Sequence, residues 1–187
     1  MEALEMLTGR RSVRRFTEQS VPRETLEKLV SAARYAPSWK NTQTARYTAI
    51  YDANIRERIA LDAVMGFAGN QTVIRSAPVL VLLTTVEGRA GFERDGSPST
   101  GKGTHWQSFD AGAAAQTFCL AAHRLGLGTV IMGIYDEEAL RRIVPIREGE
   151  SVSALIALGF PAELPAPPKR KDVGDLLTVF PQEASIG

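Results

Sequence analysis

Cations, the residue type best suited to bind a phosphorylated ligand, are concentrated near both ends of this chain. Near the start stand Arg10, Arg11, Ser12, Arg14 and Arg15, and near the end stands the run Lys169-Arg170-Lys171. Because the formal net charge of the whole chain is only +1, these are local concentrations. A guanidinium gives a phosphate two parallel charge-assisted hydrogen bonds, and a serine hydroxyl adds a donor. The runs indicate a phosphate site, against the ordinary alternative of a solvated surface face.

A second group of polar side chains lies where a proline ends a predicted helix. It reads Ala36-Pro37-Ser38-Trp39-Lys40-Asn41-Thr42-Gln43. Asparagine and glutamine each offer a donor and an acceptor, which suits recognition of the edge of a planar heterocycle. Asn70-Gln71, just ahead of an apolar run, is a second such point. Taken alone, both segments would be polar loops.

Other common ligand sites are poorly supported. Residues 96–103 match phosphate-loop spacing, but Gly103 stands where a magnesium-binding serine or threonine is required. Residues 126–128 (Gly-Leu-Gly) begin like a dinucleotide fingerprint, but Ile131 occupies the third glycine position. One cysteine and two histidines cannot form a zinc site of the usual kind, so we expect no metal.

The cysteine and the histidines have ordinary structural interpretations. Cys119 lies in an apolar predicted helix and is expected to be a small buried hydrophobe. His123 lies near the end of the same helix, where a charge or a hydrogen bond to carbonyls would satisfy it. His105 stands beside Trp106 at the end of a glycine-rich segment, as a substrate contact or with no role.

Hydrophobic periodicity predicts the elements that position these residues. Helices are expected over 2–8, from Pro22 to before Pro37, over 54–64, 107–125 and 136–144, and strands over 47–51, 78–84, 129–132 and 151–158. The continuous apolar run 78–84 is typical of a strand covered on both faces. The helix over 107–125 is apolar nearly all round and should be buried. Residues 87–104 carry five glycines and predict a mobile loop that could act as a lid.

The C-terminal residues 160–187 differ from the rest. Pro161, Pro165, Pro167 and Pro168 favour an extended chain, which ends in the apolar run 176–180 (LLTVF). Such an arm is expected to pack on a second copy of the chain.

Composition limits the remaining possibilities. With 187 residues, 44% hydrophobic and 23% charged, the chain is typical of one globular domain over 1–187. No apolar stretch approaches the length of a bilayer span, and Met1-Glu2 opens no secretory signal, so we expect a cytoplasmic protein without membrane contact. The near-neutral net charge argues against nucleic-acid binding.

Six motifs in order, spread over nearly the whole chain, resemble the FMN-dependent nitroreductase family, particularly its shorter members. They are Arg10-Arg11-Ser12-Val13-Arg14, Ala36-Pro37-Ser38 with Asn41 and Gln43, Ala77-Pro78-Val79, Asp110-Ala111-Gly112-Ala113-Ala114-Ala115-Gln116, Gly126-Leu127-Gly128-Thr129 and Gly159-Phe160-Pro161-Ala162-Glu163. The resemblance implies an α+β fold with a central mixed β-sheet wrapped by helices. It also implies a homodimer with a domain-exchanged C-terminal arm and two FMN sites at its interface.

The resemblance assigns roles to particular residues. Arg10, Arg11 and Ser12 would hold the FMN phosphate, joined by Lys169 or Arg170, while Arg14 would lie near the pyrimidine edge of the flavin. Asn70 would hydrogen-bond the ring system, and backbone amides around Gly133 and Ile134 would face flavin N5. Pro37, Ser38, Trp39 and Asn41 would belong to the cofactor site, with the segment reaching in from the partner subunit.

The expected chemistry requires no acid–base pair from the protein. Hydride arriving at flavin N5 places negative charge toward N1 and O2, and a fixed cation such as Arg14 stabilises it. The chain departs from the usual family pattern where Thr44-Ala45 follows Gln43 and where Trp39-Lys40 replaces two small residues. These changes lie near the expected substrate face, so they bear on the choice of substrate and not on cofactor binding.

The resulting hypothesis is an FMN-dependent NAD(P)H oxidoreductase that reduces nitroaromatics, quinones or similar planar acceptors by ping-pong hydride transfer. An alternative keeps the fold and the flavin but changes the reaction to flavin fragmentation, dehalogenation or alkene reduction. A further alternative is a flavin-binding protein without turnover. In a last alternative, the arginines form a general anion site and the protein binds no flavin.

Overall fold

Six α-helices and four β-strands form the regular structure of residues 2–180, the part of the chain that the computed structural model describes. The helices are α1 (Ala3–Gly9), α2 (Arg23–Ala33), α3 (Ala53–Asp62), α4 (Ala68–Ser76), α5 (His105–Arg124) and α6 (Glu137–Ile143). The strands are β1 (Ala45–Ile50), β2 (Val79–Val86), β3 (Gly128–Met132) and β4 (Glu150–Gly159). Short 3-10 turns occupy Trp39–Asn41 and Val173–Asp175.

The strands form one sheet in the spatial order β1-β2-β4-β3, and each neighbouring pair is antiparallel. The prediction of a mixed sheet is therefore wrong for the described residues, in which the parallel pairing is one isolated bridge between Ser12 and Thr129. Two helices, α3 and α4, separate β1 from β2. They return the chain to the end of the sheet that it left, so β2 runs opposite to β1.

β2 is the centre of the molecule, as its apolar run predicts. Alternate side chains of a strand point to opposite faces, so β2 supplies two hydrophobic layers at once. Leu80 and Leu82 join the layer formed with α3, α4 and α6. Val79, Val81 and Leu83 join the layer formed with α2 and α5. The sheet is thus covered by helices on both faces.

Two helices differ from their predictions. α5 buries Phe118 and Ala122 but exposes a face that includes Gly112, Gln116 and Phe109, the last with 65% of its surface exposed. It is therefore not buried all round within one protomer. α4 was not predicted, and it places Asn70 inside a helix where a loop was expected.

The expectation for Cys119 is met in the structure. The thiol of Cys119 is buried, in keeping with a structural role, and burial raises its pKa. None of the helices within residues 2–180 is long and apolar enough to cross a membrane.

Candidate functional site

The N-terminal cations are fixed by a short extended segment that lies along β3. The backbone N–H of Val13 donates to the carbonyl of Thr129 at 2.9 Å, and Ser12 pairs with Thr129 in parallel. Val13 is 98% buried, whereas Arg14 beside it is exposed. Gly128 allows this approach, because a Cβ atom there would lie 2.7 Å from the Val13 side chain. The buried valine therefore anchors a segment whose polar side chains remain available.

The C-terminal arm reaches the same place because it runs antiparallel to the residues that follow this segment. Thr17 N–H donates to the Phe160 carbonyl at 2.9 Å, and Ala162 N–H donates to the Arg15 carbonyl at 3.0 Å. An antiparallel bridge joins Phe16 to Pro161 between them. Continuing in that direction, the arm passes residues 14 to 10 in reverse order.

Cations from both ends of the chain consequently line one cavity of about 270 Å³. Its lining residues are Arg10, Arg11, Ser12, Arg14, Pro165, Ala166, Pro168 and Arg170. Lys169 is exposed and does not line it, so of the two predicted cations of the arm only Arg170 is brought to the cavity. Four guanidinium groups and a hydroxyl, with no carboxylate among the described lining residues, suit the dianion of a phosphate monoester.

A second cavity of about 300 Å³ adjoins the first, and Arg10 and Arg11 line both. His123, at the C-terminal end of α5, also lines the second cavity. Its Nε2 atom is buried without a hydrogen-bond partner among the described residues, contrary to the expectation that carbonyls would satisfy it. Burial first, and then Arg10 and Arg11, lower the pKa of His123.

Asn70 and Ile134, two residues predicted separately, lie in direct contact. The side chain of Asn70 is 92% buried, and its Nδ2 atom donates to the Ile134 carbonyl at 3.1 Å. Gly133 precedes Ile134, and a Cβ atom there would meet nothing within 4 Å, so the backbone is open on that side. β3 joins this point to Thr129 and the arginine segment, over about 13 Å at 3.3 Å per residue.

The third predicted group, Pro37, Ser38, Trp39 and Asn41, forms a tightly held loop. Trp39 N–H donates to Oδ2 of Asp110 at 2.8 Å, and Gln43 N–H donates to Ser38 Oγ at 3.0 Å. Within this loop, left-handed backbone occurs at three non-glycine residues, Lys40 (φ 44°), Asn41 (φ 55°) and Gln43 (φ 49°). Such conformations cost on the order of 1 kcal/mol each and persist where surrounding contacts impose them, often at functional sites.

This loop does not meet the arginine cavity within one protomer. It is attached to α5 through Asp110, whereas the arginines lie beside His123 at the other end of that helix. The two α5 positions are separated by about 20 Å at 1.5 Å per residue. The structure thus brings together the two cationic ends, and separately Asn70 with Ile134, but leaves the loop apart from the arginines.

The glycine-rich residues 87–104 are tied to the same loop. Lys40 Nζ and Glu93 Oε1 lie 2.8 Å apart, and the Trp39 and Trp106 ring centroids lie 4.7 Å apart. Trp106 in turn meets the exposed Phe109 edge-on at 5.7 Å. These contacts place an aromatic cluster where residues 87–104 and α5 meet. A role of these residues as a lid stays a prediction.

Asp110 and His123 are the site residues whose importance was missed from the sequence. Asp110 is 95% buried, and burial raises the pKa of its carboxyl, against a smaller lowering by the Trp39 N–H. An isolated carboxylate in an apolar helix is itself a signal, since a buried charge requires a partner. Within residues 2–180, no cluster of three or more histidine, cysteine or acidic side chains could hold a metal ion.

Comparison with known proteins gives these residues a context. The family model described as "Nitroreductase family" matches residues 7–68 and 62–160. An NADH dehydrogenase of Thermus thermophilus is 30% identical over 177 residues, covering 82% of this chain and 84% of that protein. An FMN reductase [NAD(P)H] of Bacillus subtilis is 32% identical over 143 residues, covering 71% of this chain and 54% of that protein.

A solved structure agrees over almost the whole fold. A Desulfovibrio desulfuricans protein, crystallised in complex with FMN, is 27% identical, with a TM-score of 0.74 and coverage of 96% of each chain. The resemblance seen in the sequence motifs is thereby confirmed, and this chain belongs to the nitroreductase family.

Proposed function

We propose that the chain is an FMN-dependent NAD(P)H oxidoreductase that reduces nitroaromatics, quinones or similar planar acceptors by alternating hydride transfers. The observation that carries the proposal is the cavity of Arg10, Arg11, Ser12, Arg14 and Arg170, to which no acidic residue within residues 2–180 contributes. Family membership and the FMN-bound relative support the same cofactor.

Each predicted residue has a place in this proposal. Arg10, Arg11, Ser12 and Arg170 hold the phosphate, and Arg14 lies toward the pyrimidine edge. Asn70 hydrogen-bonds the ring system, and the open backbone at Gly133 and Ile134 faces it. Bound FMN would supply the hydride chemistry, which is why no protein acid–base pair is required. Lys169, outside the cavity, adds only longer-range positive charge.

Arg14 contributes to reactivity as well as to binding. Its guanidinium bonds weakly to the Ser12 carbonyl at 3.3 Å, so most of its donors remain free. A fixed cation near the pyrimidine edge stabilises the negative charge of the reduced ring system and so favours its reduction.

The active unit in this proposal is a homodimer that exchanges the part of the C-terminal arm beyond Arg170, because the arm up to that residue packs on its own chain. Apolar side chains of the arm are highly exposed in one protomer, among them Leu176 (71%), Leu177 (61%) and Phe180 (94%). α5 likewise presents an exposed apolar face at Phe109. Burial of these surfaces against a second copy would stabilise a dimer. Pro37, Ser38, Trp39 and Asn41 would then meet the partner's arginines, which they do not meet within one chain.

The absorption spectrum of the purified protein tests the proposal. The protein should be yellow, and anaerobic NADH or NADPH should bleach the oxidised-flavin bands. A colourless protein that takes up no added FMN would contradict it. Bound FMN that neither nucleotide reduces would favour flavin binding without turnover, and product analysis after reduction would separate acceptor reduction from flavin fragmentation, dehalogenation or alkene reduction. A cytoplasmic location stays a prediction from the sequence.

A further inference from the structure

His123 lies against the arginines of the phosphate cavity without a role in the proposed function. His123, Arg10 and Arg11 line one cavity, and its other walls are Val13, Thr129, Pro161, Leu164 and the turn over 126–128. None of these residues is acidic. Since Arg10 and Arg11 also line the phosphate cavity, both cavities share the same two cations.

The surroundings of His123 disfavour the protonated form of its imidazole while no anion is present. The buried Nε2 atom packs against Gly9, where a Cβ atom would lie 3.1 Å away. Among the described residues, the charged groups that face it are Arg10 and Arg11. Burial is the larger cause that lowers the pKa of His123, and the positive charge of these two arginines lowers it further. Along α5, Arg124 follows it and the neutral thiol of Cys119 precedes it by one turn. Of the described residues of the arm, 160–180, those that line this cavity are the uncharged Pro161 and Leu164.

A bound dianion offsets the electrostatic part of this lowering, the part that Arg10 and Arg11 contribute. Its negative charge offsets the two guanidinium groups that disfavour the imidazolium. The C-terminal end of α5, whose dipole favours a cation, then acts without that opposition. We propose that His123 takes up a proton when a phosphate monoester occupies the arginine cavity, and that its imidazolium strengthens the binding of that phosphate. The proposal rests on the proposed function for the ligand, FMN, and on the two shared cavities for the site.

The proton uptake determines the direction in which FMN affinity changes with pH. Because the pKa of His123 is higher with ligand than without, FMN binds more tightly as the pH falls between the two pKa values. Each unit by which the ligand raises the pKa of His123 lowers the Kd for FMN by about tenfold across that pH window. The phosphate of FMN has its own pKa near 6, which acts in the opposite sense. The contribution of His123 is therefore obtained as the difference in the pH dependence of FMN affinity between the wild type and His123→Gln.

The chain contains two histidines, which makes a direct measurement possible. Proton NMR of the imidazole Cε1–H resonances follows each histidine, and His105→Gln assigns them. His105, exposed at the start of α5, is the internal control. The titration is made on the free protein, with FMN, with riboflavin, which lacks the phosphate, and with inorganic sulfate, which stays doubly charged throughout. FMN and sulfate should raise the pKa of His123, and riboflavin should not.

The binding experiment uses a matched pair of variants. His123→Gln should remove a low-pH gain in FMN affinity of at least about threefold, corresponding to a half-unit rise in pKa. His105→Gln should keep the wild-type profile, and riboflavin affinity should be the same in all three proteins. Failure to bind FMN would contradict the proposed function alone, because the sulfate titration still tests His123. A His123 pKa that neither bound FMN nor sulfate raises would overturn the inference.

Discussion

Arg10 and Arg170, from opposite ends of the chain, line the same cavity. Their meeting follows from backbone pairing, since the bonds that join Arg15 and Thr17 to Ala162 and Phe160 turn the arm back along the N-terminal segment. The prolines of the arm keep it extended over this path. Neither cation has a carboxylate partner among the described residues, so the positive charge of the cavity remains available to an anion.

Arg10→Ala and Arg14→Ala should each weaken FMN binding. A hydrogen bond to a charged group contributes about 1.5–3 kcal/mol, which corresponds to a rise in Kd of roughly 10- to 150-fold. Arg14→Ala should also lower the reduction potential of bound FMN, whereas Arg10→Ala, at the phosphate, should change it little. Quenching of FMN fluorescence measures the Kd, and equilibration with a reference dye measures the potential. The control is Arg23→Ala, which removes an exposed arginine paired with Glu27. An equal loss of affinity in that control would contradict the assignment of Arg10 and Arg14 to the FMN site.

Gly128→Ala should disturb the cation cavity without touching a cation. The new methyl group would lie 2.7 Å from the Val13 side chain, too close for either to remain in place. Displacement of Val13 moves Ser12 and Arg14 with it, so FMN affinity should fall along with stability. Gly101→Ala is the control, because a Cβ atom there meets nothing within 4 Å. Urea unfolding and FMN titration of both variants check the expectation. Normal FMN affinity in Gly128→Ala would show that the Val13 anchor does not set the cavity.

The fold was predictable where local pattern decides structure. The apolar run of β2 and the long apolar pattern of α5 identified both elements. α4 was missed because its N-cap residue, Phe67, provides no side-chain cap and because the helix contains Gly69. Burial of Val73 and Ile74 against the core stabilises it, and a short helix of this kind depends on such packing. The direction of each strand is also non-local, which is why the mixed sheet taken from the family resemblance was wrong.

The candidate site was predictable in residue type but not in arrangement. Arginine and serine indicated an anion site, but no local pattern shows that residues 15–17 pair with 160–162, and this pairing selects Arg170 over Lys169. The sequence identifies Asp110 only as part of a motif, because its partner, the Trp39 N–H, is distant in sequence. The roles of the site residues toward FMN stay predictions.

Asp110→Ala and Asp110→Asn should have different effects on stability. Alanine leaves the Trp39 N–H without its acceptor, at a cost of about 1–3 kcal/mol, whereas the asparagine oxygen can still accept that bond. Burial raises the pKa of Asp110 above its unfolded value, so its ionised form is disfavoured in the folded chain. Wild type should therefore lose stability relative to Asp110→Asn as the pH rises through the raised pKa. Urea unfolding of all three proteins at pH 4 and pH 7 measures both effects. Equal stability of Asp110→Ala and Asp110→Asn would contradict the role of the hydrogen bond. A stability difference between the wild type and Asp110→Asn that does not change with pH would contradict the effect of the raised pKa.

Glu93→Gln should loosen residues 87–104 with little effect on global stability, because both partners of the Lys40–Glu93 pair are largely exposed. Hydrogen bonds from Lys40 and then Ser99 lower the pKa of Glu93. The Lys40–Glu93 ion pair is present above the pKa that the Glu93 carboxyl has in the unfolded chain, and it is lost as the pH falls through the lowered pKa of the folded protein. Hydrogen exchange of this segment should thus be faster in the variant at neutral pH but the same in both proteins in acid. Glu57→Gln, which breaks a comparable pair with Arg75, should leave the segment unchanged. Unaltered exchange in Glu93→Gln would show that the ion pair does not restrain it.

Mixed dimers of Arg10→Ala and Asn41→Ala subunits test whether two chains build one site. The loop that carries Asn41 lies about 20 Å along α5 from the arginine cavity of its own chain. In the proposed dimer, the Asn41→Ala subunit still offers Arg10, and the Arg10→Ala subunit still offers Asn41. Heterodimers purified through two different affinity tags should therefore regain one tight FMN site, while both parent homodimers bind weakly.

A mixture of Arg10→Ala with Arg14→Ala subunits is the matched control for that experiment, because both substitutions lie in the arginine cavity and neither affects the loop that carries Asn41. These heterodimers should regain no tight site, since neither subunit offers an intact arginine cavity. Restoration in both mixtures would point to an effect of mixing itself. Purified Arg10→Ala/Asn41→Ala heterodimers without a restored site would show that the loop serves its own chain, and the homodimeric site would then have to be abandoned.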